Sequence, residues 1–331
     1  MQKIKPPVLK KGATIGVPGP SSKPPNFMIG PGVQRLKRMG FNVVLGKTVR
    51  QTTRQGFLSG TDKVRAEEIN TMFKDEKIDA LLCARGGYGS IRILPYLDYD
   101  VIREHPKIIM GMSDITSLLL GIHAKTGLVT FHGPGSLGSL TGEFTPYTDQ
   151  AIMKALMSTE PIGEVTNPPD GPFVQTVVEG TAVGELTGGN LNLVVATLGT
   201  PYEIDTKGRI FFFEIPGVRA WQIDRHLVHL EQAGKLPAAV GFVAGECVQS
   251  DPYERAVGEY WLSYPGAILD HHLSSTVEEV INERLSKLGK PAEYGLVCGH
   301  GRHKTVMPIG VRAELRASEG ILNITESATT G

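Results

Sequence analysis

Four short stretches of the chain carry side chains able to do hydrolytic chemistry. Gly111-Met112-Ser113-Asp114 stands between an apolar run and a stretch with helical character. A serine on such a strand-to-helix turn projects at the positive end of the helix, which favours an alkoxide or a developing oxyanion. The turn is related to the G-x-S-x-G elbow but has Ile115 in place of the second glycine. The competing reading makes Ser113 or Asp114 a plain helix cap. Arg85-Gly86-Gly87-Tyr88-Gly89 follows another apolar run. Paired glycines let the backbone approach a ligand and turn its N–H groups outward, so the loop suits a phosphate or half of an oxyanion hole. It lacks G-x-G-x-x-G spacing and does not follow the first strand, and a tight turn would look the same. Glu214 ends the apolar run 209–214, where a carboxylate needs a partner. A histidine would serve, and so would Arg219 or Arg225. His300, between Gly299 and Gly301, has little steric cover and can present its ring to a cleft; a packed, hydrogen-bonded histidine is the alternative.

The other histidines offer less. His226 and His229 fall on a helical stretch and face solvent at least in part, and His271-His272 sits in a turn. That pair is adjacent rather than i, i+4, and no H-E-x-x-H occurs, so metal-dependent hydrolysis is poorly supported. Cys83, Cys247 and Cys298 have no C-x-x-C spacing, which argues against a cysteine zinc site. They read as free, buried thiols of a reducing compartment. Lys+Arg and Asp+Glu both number 34, so the net charge is zero. That balance gives no reason to expect nucleic acid or an anionic membrane and leaves a small molecule or peptide as partner. The opening MQKIKPPVLKKG has lysines but no apolar h-region, and no apolar run reaches the roughly 18 residues needed to span a bilayer. The expected address is the cytoplasm.

These residues need elements to hold them. Strands are expected at 13–17, 43–45, 80–83, 107–110 and 129–131, and helices at 28–39, 61–73 and 115–125. Such alternation implies parallel strands with crossover helices. Residues 1–145 therefore read as a doubly wound α/β domain, with ligands bound at the carboxyl ends of its strands. Both the glycine loop and the Ser113 turn lie at such ends. A connecting segment is expected over 146–176, where 159–176 is rich in Pro, Gly and Asn. Residues 177–331 read as a mixed α+β domain, with strands at 210–213, 240–244, 295–298 and 314–317 and helices at 220–232 and 275–288. Ser275 with Glu278 fits a capping box for the last of these. The 331 residues suit two domains.

Taken in order, the segments resemble the LD-carboxypeptidase family, the S66 serine peptidases. That family includes murein tetrapeptide carboxypeptidases and self-immunity peptidases that cleave a peptide–nucleotide antibiotic. The resemblance covers nearly the whole chain: the opening strand Leu9–Val17, the glycine loop Ala84–Gly89, the turn Gly111–Thr116, Leu186-Thr187-Gly188-Gly189-Asn190-Leu191, Ile223-Asp224-Arg225, and Gly299-His300-Gly301. It implies Ser113 as nucleophile, His300 as general base and Glu214 as the acid that orients it. The backbone N–H groups of Gly87 and Asp114 would form the oxyanion hole, with Arg85 and Asn190 as candidate substrate-binding residues. It also implies a flavodoxin-like N-terminal domain, a smaller C-terminal α+β domain with a β-barrel-like core, a cleft between them, a homodimer, and no cofactor. The implied substrate is a murein stem tetrapeptide cut before its terminal D-amino acid. Two departures bear on specificity. Met112 stands where the family usually has an aromatic residue, and Ile215-Pro216-Gly217-Val218-Arg219 replaces a more acidic run. The rivals are a peptidase for peptide–nucleotide antibiotics, a non-catalytic peptide-binding protein on the same frame, and a nucleotide-dependent α/β enzyme resting on residues 85–89 alone.

Overall fold

The structure is a computed structural model that describes residues 2–53, 56–137, 145–248 and 275–331. The short apolar runs of the first half become strands β1 (Thr14–Val17), β2 (Asn42–Leu45), β3 (Ala80–Leu82), β4 (Ile108–Gly111) and β5 (Thr130–His132). All are parallel, in the order β2-β1-β3-β4-β5. This is the flavodoxin-like order, and its crossovers come from helices α1 (Asn26–Arg38), α2 (Asp62–Lys74), α3 (Tyr99–Glu104) and α4 (Ile115–Thr126). The expected boundaries hold to within two residues. Thr61 caps α2 by accepting from the Val64 N–H.

The nucleophile's helix differs from its neighbours. Helix α4 is buried on nearly every side, because it lies between the first sheet and a second one.

That second sheet has eight strands. β6 (Gly163–Val165), β7 (Gln175–Val178), β8 (Thr181–Asn190), β9 (Ile210–Glu214), β10 (Gly241–Gly245), β11 (Ala292–Leu296), β13 (Arg312–Arg316) and β14 (Ile321–Ile324) run in the order β6-β14-β13-β8-β9-β10-β11-β7. The central β8-β9-β10-β11 are parallel; the flanking pairings are antiparallel. Phe211, Phe212, Phe213 and Phe242 fill its core.

The structure differs from or adds to the expected elements in four places. The connecting stretch 146–176 has structure of its own. It holds helix α5 (Pro146–Met157), capped by Thr145, and β6, which extends the second sheet. The 295–298 strand lies earlier, at Ala292–Leu296, where it pairs with β10 on one side and β7 on the other. The capping box sits one residue later: Thr276 and Glu279 exchange bonds at the start of the last helix (Val277–Ser286). Finally, β12 (Met307–Ile309) leaves the second half and pairs antiparallel with β5 at the edge of the first sheet. Its Pro308 is tolerable at such an edge.

Candidate active site

Ser113 follows β4 and adopts φ 64°, the only positive φ of a non-glycine residue among the described residues. A left-handed serine costs about 1–3 kcal/mol, which the surrounding contacts must hold in place. Ser113 is partly exposed while Met112 and Asp114 on either side are buried. The cap reading does not survive, since Asp114 makes no side-chain cap bond to α4. Its Oδ2 instead accepts from Ser21 Oγ at 2.5 Å and from the Ser90 N–H at 2.8 Å, and Ser90 Oγ bonds the Asp114 carbonyl. Asp114 is thus the pin between the nucleophile turn, the loop after β1 and the residue after the glycine loop.

The glycine loop lies directly on the nucleophile turn. A Cβ at Gly86 would stand 2.9 Å from Ser113 Cβ and 3.3 Å from the Asp114 nitrogen, so only glycine fits without displacement. Gly86 O accepts from the Ser22 N–H at 3.3 Å and Ser21 Oγ at 3.0 Å, and the Tyr88 N–H donates to Ser22 Oγ at 3.1 Å. Arg65 anchors the loop from beneath. It is fully buried, and its guanidinium donates to Gly89 O at 2.8 Å, to Pro20 O and to Gly60 O, with Asp62 as counter-ion at 2.6 Å. Arg85 is exposed and donates to Lys23 O at 2.8 Å, a tether of the loop.

Glu214 closes β9 and is fully buried. Its Oε2 accepts from His300 Nδ1 at 2.7 Å, and its Oε1 accepts from Asn190 Nδ2 at 2.9 Å. Of the candidate partners, therefore, the histidine holds it. The Asn190 amide faces the carboxylate and is 2% exposed. The Asn190 N–H donates to Thr116 Oγ1 at 3.0 Å on the first turn of α4. Gly189, at φ 138°, permits this approach; a Cβ there would stand 2.6 Å from Thr116. A continuous chain of bonds, Thr116–Asn190–Glu214–His300, thus ties the helix that follows Ser113 to the imidazole on the other sheet. The cysteines are not rival nucleophiles. All three are free, and burial pushes the thiols up, Cys247 to about 12, with Glu214 adding to the effect at Cys247 and Cys298. His271 and His272 lie outside the described residues.

Ser21, Ser90 and Arg65 escaped the sequence reading. The two serines could have been found, because Ser21 follows β1 and Ser90 follows the glycine loop at the carboxyl edge of one sheet. A buried arginine on an otherwise ordinary helix leaves no such signal.

A serine on a strand-to-helix turn under a glycine loop, with a buried Glu–His pair tied through Asn190 to the helix that follows it, fits the frame of a serine hydrolase. The chain belongs to the LD-carboxypeptidase family: the family's N-terminal domain matches residues 15–133 and its C-terminal domain residues 183–315. It is a serine-type carboxypeptidase. A probable murein peptide carboxypeptidase of Bacillus subtilis (strain 168) is 36% identical over 317 residues, covering 95% of this chain and 92% of that one. The microcin C7 self-immunity protein MccF of Escherichia coli is 29% identical, covering 89% and 87%. A solved apo structure of MccF superposes with a TM-score of 0.85 at 27% identity, covering 99% of this chain and all of that one. A muramoyltetrapeptide carboxypeptidase from Oxalobacter formigenes, at 23% identity and TM-score 0.77, shares the fold.

Proposed function

We propose that the chain hydrolyses the L,D-peptide bond of a murein stem tetrapeptide and releases its terminal D-amino acid. The observation that carries the catalytic part is the His300–Glu214 bond of 2.7 Å, joined through Asn190 and Thr116 to the helix that Ser113 precedes. With Nδ1 committed to Glu214, Nε2 is the nitrogen that takes the Ser113 proton as Oγ attacks the scissile carbonyl. Glu214 holds that tautomer and stabilises the imidazolium. The N–H groups of Gly87 and Asp114 receive the oxyanion, each donor lowering the barrier by about 3 kcal/mol. His300 returns its proton to the leaving amine, and water then cleaves the acyl-enzyme with His300 again as base.

The identity to the murein peptide carboxypeptidase of Bacillus subtilis, over nearly the full length of both chains, favours the murein substrate. The likeness to MccF favours a second reading, cleavage of an acylated nucleotide antibiotic. The proposed setting is peptidoglycan recycling in the cytoplasm by a homodimer; among the described residues no helix is long and apolar enough to cross a membrane. The test supplies purified protein with a stem tetrapeptide and, separately, with a peptide–nucleotide conjugate. Release of the terminal D-amino acid, unaffected by a chelator and abolished in Ser113→Ala, is the expected result. Turnover of the conjugate alone overturns the murein assignment, and turnover by a folded Ser113→Ala protein overturns the nucleophile.

A further inference from the structure

A carboxypeptidase must tell a free C-terminus from a continuing chain, and a cation close to the leaving group is the direct means. Its place is bounded by the chemistry. The base returns a proton to the leaving nitrogen from about 3 Å. One Cα separates that nitrogen from the terminal carboxylate, whose carbon lies about 2.5 Å away. The carboxylate oxygens therefore fall within about 7 Å of the His300 nitrogen that delivers the proton.

Lys304 lies on the histidine turn itself. Its Nζ reaches back and donates to the carbonyl of Gly301, the residue after His300. Its backbone is fixed, because the Lys304 N–H donates to Thr148 Oγ1 at 2.9 Å and the Thr305 N–H to Val297 O at 2.8 Å. The side chain is half-buried, and the Gly301 carbonyl takes one of the three donors an ammonium carries. Glu246, just after β10, attracts the ammonium without an ion pair to it. The Glu246 carboxyl presses on the same turn: a Cβ at Gly301 would overlap its Oε2, which is buried and has no hydrogen-bond partner. Burial raises that carboxyl to about 7, so below this pH it is mostly neutral and leaves Lys304 without a full counter-charge. A half-buried cation held by one carbonyl is unfavourable, and an incoming carboxylate would relieve it.

Neighbouring cations are differently engaged. Arg302 is exposed and bonds Asp170 at 2.8 Å, and Arg85 on the glycine loop is tied to Lys23 O at 2.8 Å.

We infer that Lys304 anchors the terminal carboxylate of the substrate, so that the turn carrying the base also sets the preference for a free C-terminus. The inference rests on His300 as base and on the release of a terminal residue proposed above.

The test compares the full-length parent with Lys304→Gln and Arg219→Gln on the stem tetrapeptide and on the same peptide amidated at its C-terminus. The readouts are kcat and KM on each peptide and the rate at which a fluorophosphonate, which has no carboxylate, labels Ser113. In Lys304→Gln, kcat/KM on the free acid should fall about tenfold or more, chiefly through KM. Turnover of the amide and the labelling rate should stay within about twofold of the parent's. An equal loss on acid and amide means a structural role in the histidine turn and overturns the inference. So does an unchanged preference for the free acid in Lys304→Gln. Loss of the preference in Arg219→Gln instead moves the anchor to the exposed residue that precedes the helix Ala220–Gln232, and also overturns it. Should the glutamine variant fail to fold, Lys304→Met, which keeps the aliphatic stem, is read by the same criteria. The parent separates the two levels of the argument. If it cleaves neither peptide, the proposed reaction falls and the anchor with it; if it prefers the free acid and Lys304→Gln keeps that preference, only the anchor falls.

Discussion

Asn190 ties two parts of the proposed site together. Its amide donates to Glu214 Oε1 at 2.9 Å while its backbone N–H holds Thr116, so it binds the carboxylate and the nucleophile's helix together. A hydrogen bond to a buried charged group is worth about 1.5–3 kcal/mol. Removing it lets Glu214 turn away from His300, and the loss falls on the step in which the imidazolium forms. Asn190→Ala should therefore lower kcat by about 10–100-fold with little change in KM, as measured by steady-state kinetics on the stem tetrapeptide. A raised KM with unchanged kcat would restore the substrate-binding role that the GGNL segment first suggested. Arg85 calls for the same separation. Its bond to Lys23 O favours a tether, which predicts a fall in kcat for Arg85→Ala through the displaced Gly87 donor. A carboxylate anchor would instead raise KM and erase the preference for free over amidated C-termini.

At the scale of elements, the proposed site is where the carboxyl ends of the parallel strands of the two sheets meet around α4. The glycine loop after β3 and the turn after β4 touch because adjacent parallel strands end side by side. Gly86→Ala tests that contact. Its Cβ would press on Ser113 Cβ at 2.9 Å and on the Met112 carbonyl at 3.2 Å, and backbone cannot yield as a flexible side chain can. The loop would lift, and with it the Gly87 donor. A drop in kcat of about 10²-fold, with circular dichroism and Tm near the parent's, is expected, because an oxyanion donor acts in the transition state. An active Gly86→Ala would remove this loop from the oxyanion hole. The strand-to-helix turns were legible because they are local: an apolar run, a glycine and a helical period lie within about 20 residues of one another. Ser113, Glu214 and His300 could each be singled out as candidates by type and flanking residues, and the family resemblance supplied the roles proposed for them. What the chain order hides is non-local. Nothing near residue 307 says that Met307–Ile309 will cross back to β5, and nothing near Gly163–Val165 says that a Pro-rich stretch will edge the second sheet. The same holds for Arg65, whose burial is decided by carbonyls at residues 20, 60 and 89 that meet only after folding.

The whole molecule carries a charge problem that sets how its stability depends on pH. Glu293 on β11 is fully buried, neither carboxylate oxygen has a hydrogen bond, and burial raises it to about 8. The folded protein therefore keeps this proton up to about pH 8, whereas the unfolded chain releases it near 4.5. Between those values the unfolded state binds fewer protons, so stability falls as pH rises, by about 1.4 kcal/mol per pH unit for one such group. His132 works the other way. It is lowered from 6.5 to about 4, so the unfolded chain binds the extra proton between those values and stability rises with pH across them. Glu246, raised to about 7 by burial, adds to the fall up to that point. From pH 4.5 to 6.5 the histidine offsets part of the carboxyl effect, and above 6.5 the offset ends. The parent should thus lose stability steadily from pH 6.5 to 8. Glu293→Gln removes the ionisable group while keeping its volume, and should flatten the fall of Tm over that window. Thermal unfolding of both proteins at half-unit intervals of pH measures the difference. Parallel curves from 6.5 to 8 would mean that Glu293 is already ionised in the folded chain, with a partner that stabilises its charge.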